Sequence, residues 1–306
     1  MNFFRQHHFQ SPEPIGIPRC LWYFLHPGLW EAFFCELGLP VVQSGATWRE
    51  TIACAGLISE AEHCLPVKIH DAHLHQLAEA GVARVFVPRV LSTMPRHIAC
   101  PKLGALPDCA IAQFGHRLSV VSVELDEARV GLRYSLLELA GTLGVRGSQA
   151  RAAAEAGLAA LAAQRRRWRE QTGAMGEGSG RRILLLGHPY NLYDPYVSDP
   201  VTGKLRACGA DFSLVDYTRS RVVPEPLKWD ACSLMYNALR ELQPSACAGV
   251  IQLSSFNCGC DSMAMEFYRD RLKRKGIPYM RLVLDEYEGR AGLDTRLEAF
   301  VDSIGW

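Results

Sequence analysis

The stretch LSSFNCGCDSM, residues 253–263, sets two cysteines one residue apart, between an apolar run and a helical pattern. Thiols at such a place have three uses: small buried hydrophobes, half of a disulfide, or ligands of a soft metal. The chain has 306 residues and eleven cysteines, at positions 20, 35, 54, 64, 100, 109, 208, 232, 247, 258 and 260. An odd number cannot all pair within one chain, and in a reducing compartment disulfides are the lesser use. Packing is the expectation for most of the eleven, Cys35, Cys54, Cys208, Cys232 and Cys247 among them.

Three others are placed differently. Cys64 lies in SEAEHCLPVKIH, just before or within the first turn of a helix, with Pro66 at an early helical position. Cys100, in HIACPKL, follows the strand pattern VARVFVPRV, and Cys258 follows GVIQL. All three map to strand-end loops or helix starts. Open α/β sheets bind ligands outside the carboxyl ends of their strands, and helix N-termini favour anions, thiolates included. The tight C-x₂-C pairs of structural zinc and the runs of ferredoxin-type clusters are both absent. Converging thiolates suit zinc, copper(I) or an iron–sulfur cluster, and spacing alone does not choose among them.

The elements that must position these residues repeat. Residues 15–42 read as strand, His-Pro loop, helix and strand, and residues 183–215 read the same way. Each helix stops at a glycine, Gly38 or Gly209. Further strands and helices follow in each half, VARVFVPRV reading as one buried strand, and residues 292–306 close the chain as a helix. Such alternation calls for parallel sheets covered on both faces. Residues 148–171 form a strong helix by propensity, and GAMGEGSG after it reads as a flexible joint. The expected fold is α/β, two Rossmann-like parallel-sheet domains (13–126 and 181–306) joined by a helical connector and Gly-rich linker (127–180).

Composition excludes several classes. A net charge of +1 gives no global attraction to nucleic acid, and Arg165, Arg166 and Arg167 lack interleaved aromatics, so they read as a solvated helix face. No segment has the apolar length of a membrane span or a signal peptide, so a cytoplasmic location is expected. No G-x-x-x-x-G-K-[ST] occurs, which leaves no P-loop. His188 and Asn191 occupy a strand-end loop, as neighbours of a site or as turn residues. Lys68 and Lys102 read as surface lysines that balance charge at most, and His70, His73 and His75 as ordinary exposed histidines. Glu286, Arg290 and Arg296 have no role that the residues themselves define.

Taken together, IPRCLWYFLHPGLWEAFFCELG, EHCLPVKIHDAHLHQL, FVPRV, CPKLGALPD, GHPYNLYDPYVS, GVIQLSSFNCGCDSM, LKRKGIPYMRLVLDE and AGLDTRLEAFVD resemble the 2-hydroxyacyl-CoA dehydratase superfamily. The branch they resemble is its activase-related, CoA-substrate-specific enzyme activase-like one. The resemblance runs from about residue 15 to the C-terminus and is weakest in the helical connector.

The resemblance implies Rossmann-like domains around an oxygen-sensitive [4Fe–4S] cluster held by three cysteines, with one iron open to other ligands. By motif these are Cys64, Cys100 and Cys258. Cys260 stands where the resemblance leads one to expect a non-cysteine residue. It is a neighbour whose thiol points away, the preferred reading, or a fourth ligand, which would argue for electron transfer rather than substrate chemistry. A double-cubane cluster would need further cysteines, and Cys20 and Cys109 are not obvious candidates. The implied function is an iron–sulfur redox protein of anaerobic metabolism, reduced by a separate ATP-dependent activator with its own cluster. A dehydratase-like lyase acting on an acyl-CoA, with a second subunit or a homodimer, falls within that implication. The alternative is a non-catalytic scaffold or binding partner whose cysteines only pack.

Overall fold

The computed structural model describes residues 13–172, 180–217, 227–286 and 290–306; the glycine-rich joint falls almost wholly outside them. In the first half the chain runs β1 (Ile15–Ile17), a 3₁₀ turn (Leu21–Leu25), α1 (Leu29–Glu36), β2 (Val41–Gln43) and α2 (Arg49–Ile58). It continues through α3 (Leu65–Glu79), β3 (Arg84–Phe86), β4 (Arg89–Ser92), α4 (Pro101–Phe114), β5 (Ser119–Val121) and β6 (Glu124–Asp126). Two helices follow, α5 (Leu132–Thr142) and α6 (Gly147–Thr172). The second half comprises β7 (Arg182–Gly187), α7 (Pro189–Leu192), α8 (Pro195–Ala207), β8 (Phe212–Leu214) and α9 (Asp230–Glu241). It ends with β9 (Cys247–Ser255), α10 (Gly259–Arg274), β10 (Tyr279–Leu284) and α11 (Arg290–Ser303).

The fold is α/β with two parallel four-stranded sheets, ordered β2-β1-β3-β5 and β10-β9-β7-β8. Counted within the sheet itself, each has the same strand order, second-first-third-fourth. Each therefore reverses direction between its first and third strands, where the helices on either side diverge and leave a crevice. In the second sheet that crevice opens between the ends of β7 and β9. β9 is buried along its whole length and, but for Gln252, is apolar until Ser254 and Ser255, as a strand covered on both faces should be.

The run VARVFVPRV is not one strand. Pro88 has no N–H to give to a ladder, and the run divides there into β3 and β4, which pair with β5 and β6 in separate sheets. The helical connector is more than a spacer. A side chain at Gly157 in α6 would sit 3.0 Å from the Leu29 carbonyl and 3.3 Å from the Phe33 Cβ, so the glycine lets α6 lie directly on α1. Beneath α1, Trp22, Trp30 and Phe86 meet with ring centroids 4.5–5.9 Å apart.

Polar ties bind the two halves. Ile98 donates its N–H to Lys228 and accepts from the N–H of Asp230. The Asp230 carboxylate in turn accepts from the backbone and hydroxyl of Thr93. A second tie is a directed chain. Burial pushes the His73 pKa down to about 3, so its ring is neutral and holds one proton. Thr47 donates to Asp194 at 2.6 Å, which leaves the Thr47 oxygen to accept from His73 Nε2 at 3.1 Å. His73 Nδ1 then accepts from Ser44 at 2.7 Å, and Ser44 accepts from the Arg19 N–H. Thr47→Val strips partners from two buried groups at once, and urea unfolding should record a loss of about 1–3 kcal/mol.

Candidate metal centre

The sequence places Cys64, Cys100 and Cys258 in loops or helix starts. Each proves to be the N-cap residue of a long helix, α3, α4 and α10 respectively. Local sequence explains this. Pro66 and Pro101 lie in first turns, where the absent N–H costs nothing and the fixed φ suits a helix. Before Cys258, Asn257 takes φ 59°, a left-handed conformation that asparagine tolerates, and this corner sends the chain from β9 into α10. The N-terminal ends of three helices thus carry thiols, and the partial positive charge there favours the thiolate form. The backbone amides of Val67 and Lys102 act in that sense on Cys64 and Cys100.

The thiols come together from both halves. Burial first, then charge on Cys258 and on Cys100, push the Cys64 pKa up to about 11. Cys100 is pushed the other way, to about 6, chiefly by a hydrogen bond from the Cys260 thiol. That bond and burial hold Cys260 far above its ordinary value, and charge on Cys258 adds to them. Cys260 is buried, and it lines one cavity with Cys100, His188, Tyr190, Trp229 and Asp230.

Beside the thiols lies a buried histidine–carboxylate pair. His188 caps α7 ahead of Pro189, and its Nε2 is 3.1 Å from Asp261 Oδ1, with both side chains enclosed. One ligand atom from each of His188, Cys258 and Asp261 falls within 4.8 Å of the others. Burial pulls the His188 pKa down, but neighbouring charge outweighs it and leaves the ring well above its ordinary value. Tyr190, stacked on that ring at 4.9 Å, is itself pushed far up by burial. It is therefore an uncharged phenol at neutral pH, and Asp261 is the charge that acts on His188. Asn191 anchors the α7 turn, donating to the Leu253 carbonyl at 3.2 Å and accepting from Ser255 at 3.1 Å.

A metal centre is consistent with this donor set: soft sulfur ligands, positive helix ends, and an Asp261 Oδ2 that is buried without a hydrogen-bond partner. Residues 14–217 match the family described as the CoA enzyme activase uncharacterised domain (DUF2229). The chain belongs to this family. No curated protein matches the activase-domain chain. Among solved structures it is similar to the manganese complex of the SBP FpvC from Pseudomonas aeruginosa, at 14% identity over 95% of this chain and 99% of that one, with a TM-score of 0.30. It is also similar to ZnuA, at 12% identity over 95% and 98% with a TM-score of 0.29. A mutant laminin-binding adhesin (Lmb) from Streptococcus agalactiae gives 9% over 95% and 99%, also at 0.29. Superpositions this loose say nothing about a ligand of this chain.

Several other residues of the activase-domain chain differ from their sequence expectation. All eleven cysteines are free. Cys232 and Cys247 are buried as packing predicts, but Cys35 is exposed, and Cys54 and Cys208 are only half-buried. His70 and His73 are buried rather than exposed, and Lys68 is buried against Glu286. Lys102 reaches the Glu62 carbonyl at 3.0 Å, and its charge favours the Cys64 and Cys100 thiolates. Arg165, Arg166 and Arg167 are exposed, as expected. Sequence reasoning passed over Asp261 altogether. Its signal was an acid in the first turn of the helix that Cys258 caps, a position that favours a carboxylate.

Proposed function

We propose that this chain is an iron–sulfur redox protein of the CoA-enzyme activation type, holding a [4Fe–4S] cluster on Cys64, Cys100 and Cys258 between its two halves. The observation that carries the reading is the meeting, at three helix N-termini, of cysteines far apart in sequence. When bound, the cluster supplies storage of one electron at a potential tuned by its surroundings. The residues of the chain supply those surroundings. Helix ends and Lys102 offset thiolate charge, while the His188–Asp261 pair and the stacked Tyr190 wall the site from water on the second-half side.

The absence of a P-loop motif supports assigning the ATP-dependent reduction to a separate activator protein. The finer membership, the activase-related branch of the 2-hydroxyacyl-CoA dehydratase superfamily, rests on the motifs. So do lyase action on an acyl-CoA and association with a second subunit. The division into 13–126, 127–180 and 181–306 is proposed with it. Among the described residues no helix is long and apolar enough to cross a membrane.

The test is iron and acid-labile sulfide per chain after anaerobic purification. Wild type should hold about four of each, and Cys258→Ser should lose most of both while keeping its far-UV circular dichroism. A folded wild type that holds neither after reconstitution would sink the reading.

A further inference from the structure

The donors that lie nearest one another at this centre are not the three thiols. His188, Cys258 and Asp261 each bring one ligand atom within 4.8 Å of the other two, and among the described residues no other trio of histidine, cysteine or acidic side chains does so. A single ion holds its ligand atoms no more than about 4.6 Å apart, twice the Zn–S distance. Cys64, Cys100 and Cys258 do not meet the 4.8 Å condition. A multi-iron body can span those three thiols, but one ion cannot bind them all where they stand.

Local backbone explains the closer trio. Cys258 is the N-cap of α10 and Asp261 stands three residues on, the two positions whose side chains face each other across a helix start. Neither the Cys258 nor the His188 side chain makes a capping hydrogen bond, which leaves sulfur and ring for another use. His188 comes straight after β7, and Cys258 follows β9. The three donors therefore sit at the crevice between those strands, and all three belong to the second half of the chain.

Charge and softness define the occupant. Asp261 is wholly buried, and its Oδ2 has no hydrogen-bond partner among the described residues. Its Oδ1 lies 3.1 Å from His188 Nε2, close to the spacing of about 3.3 Å between nitrogen and oxygen on a tetrahedral zinc. A thiolate, a carboxylate and a neutral imidazole carry two negative charges. A divalent cation cancels them, so no net charge is left buried. The sulfur donor favours a cation such as zinc over magnesium or calcium.

We infer that His188, Cys258 and Asp261 hold a single divalent cation of zinc's class, with a fourth position left to water. This goes beyond the cluster reading and does not depend on it. Cys258 belongs to both sites, so cation and cluster exclude one another, and the cation marks the chain that carries no cluster.

The probes are zinc and its coloured substitute, cobalt(II). Full-length protein is stripped with chelator under anaerobic conditions and dialysed against each metal in turn. Wild type should retain about one zinc per chain, and X-ray absorption should show one sulfur among nitrogen and oxygen neighbours. Cobalt should give a thiolate charge-transfer band that Cys258→Ser abolishes. Asp261→Asn should bind zinc at least about tenfold more weakly while keeping the wild-type circular dichroism. A wild type that retains no zinc overturns the inference, and so does a zinc surrounded by three or four sulfurs; neither result needs a variant. An Asp261→Asn protein that binds zinc as tightly as wild type overturns it too. Failure of the cluster reading shows elsewhere, in anaerobically purified protein without acid-labile sulfide, and leaves the zinc result standing.

Discussion

Lys68→Met should destabilise the protein by about 3–5 kcal/mol, the cost of leaving one buried charge without its partner. Lys68 lies in the first turn of α3, four residues beyond Cys64, and its ammonium bonds the Glu286 carboxylate just after β10. Both side chains are only 8% exposed. With methionine at 68, Glu286 must stay ionised in an apolar setting or take up a proton, and either costs stability. Removing both charges, as in Lys68→Met with Glu286→Leu, should restore most of the loss, because a buried pair itself contributes little net stability over well-packed apolar groups. Urea unfolding of the two variants beside wild type measures the difference. A double variant no more stable than the single one would mean that the ammonium matters for something other than its partner.

Asp261→Ala should be as damaging, again by about 3–5 kcal/mol, because it abandons a buried imidazole. Asp261→Asn keeps the shape and separates charge from packing. The His188 pKa lies well above its ordinary value in the folded protein. Folding therefore takes up a proton, and the stabilisation from the pair is present in full below about pH 6.5, the unfolded value. It is lost as pH rises through the higher folded value. The stability gap between wild type and Asp261→Asn should accordingly be widest near pH 6 and narrow toward pH 9. Denaturant melts across that range provide the check, and a gap that widens with pH would show that His188 is not held protonated by Asp261.

What could be read in the sequence was whatever local pattern controls. The doubled strand–loop–helix–strand unit was legible because Gly38 and Gly209 mark helix ends, and both adopt the left-handed backbone expected there, at φ 76° and 71°. The Cys64 and Cys258 positions were legible for the same reason. Helix α4 was not. Cys100 reads as part of the loop after VARVFVPRV and no helix is assigned beyond it, although Leu103, Leu106, Ala110 and Phe114 recur at helical spacing and are buried. Lys68 looked like a surface lysine because its partner is 218 residues away. Asp261 and the inward turn of Cys260 were hidden similarly, since both depend on contacts with α4 and α7 that no local spacing encodes.

The division of the thiols between the halves has a consequence for how the protein is made. Cys64 and Cys100 belong to the first sheet's helices, while Cys258 and Cys260 lie beyond β9, near the end of the chain. Domains fold largely as units, N-terminal first, during synthesis. A growing chain therefore presents two of the thiols on a finished first half well before the other two leave the ribosome. Maturation of the cluster proposed above would consequently be a late event, and a chain truncated anywhere before α10 would lack Cys258, one of its three proposed ligands.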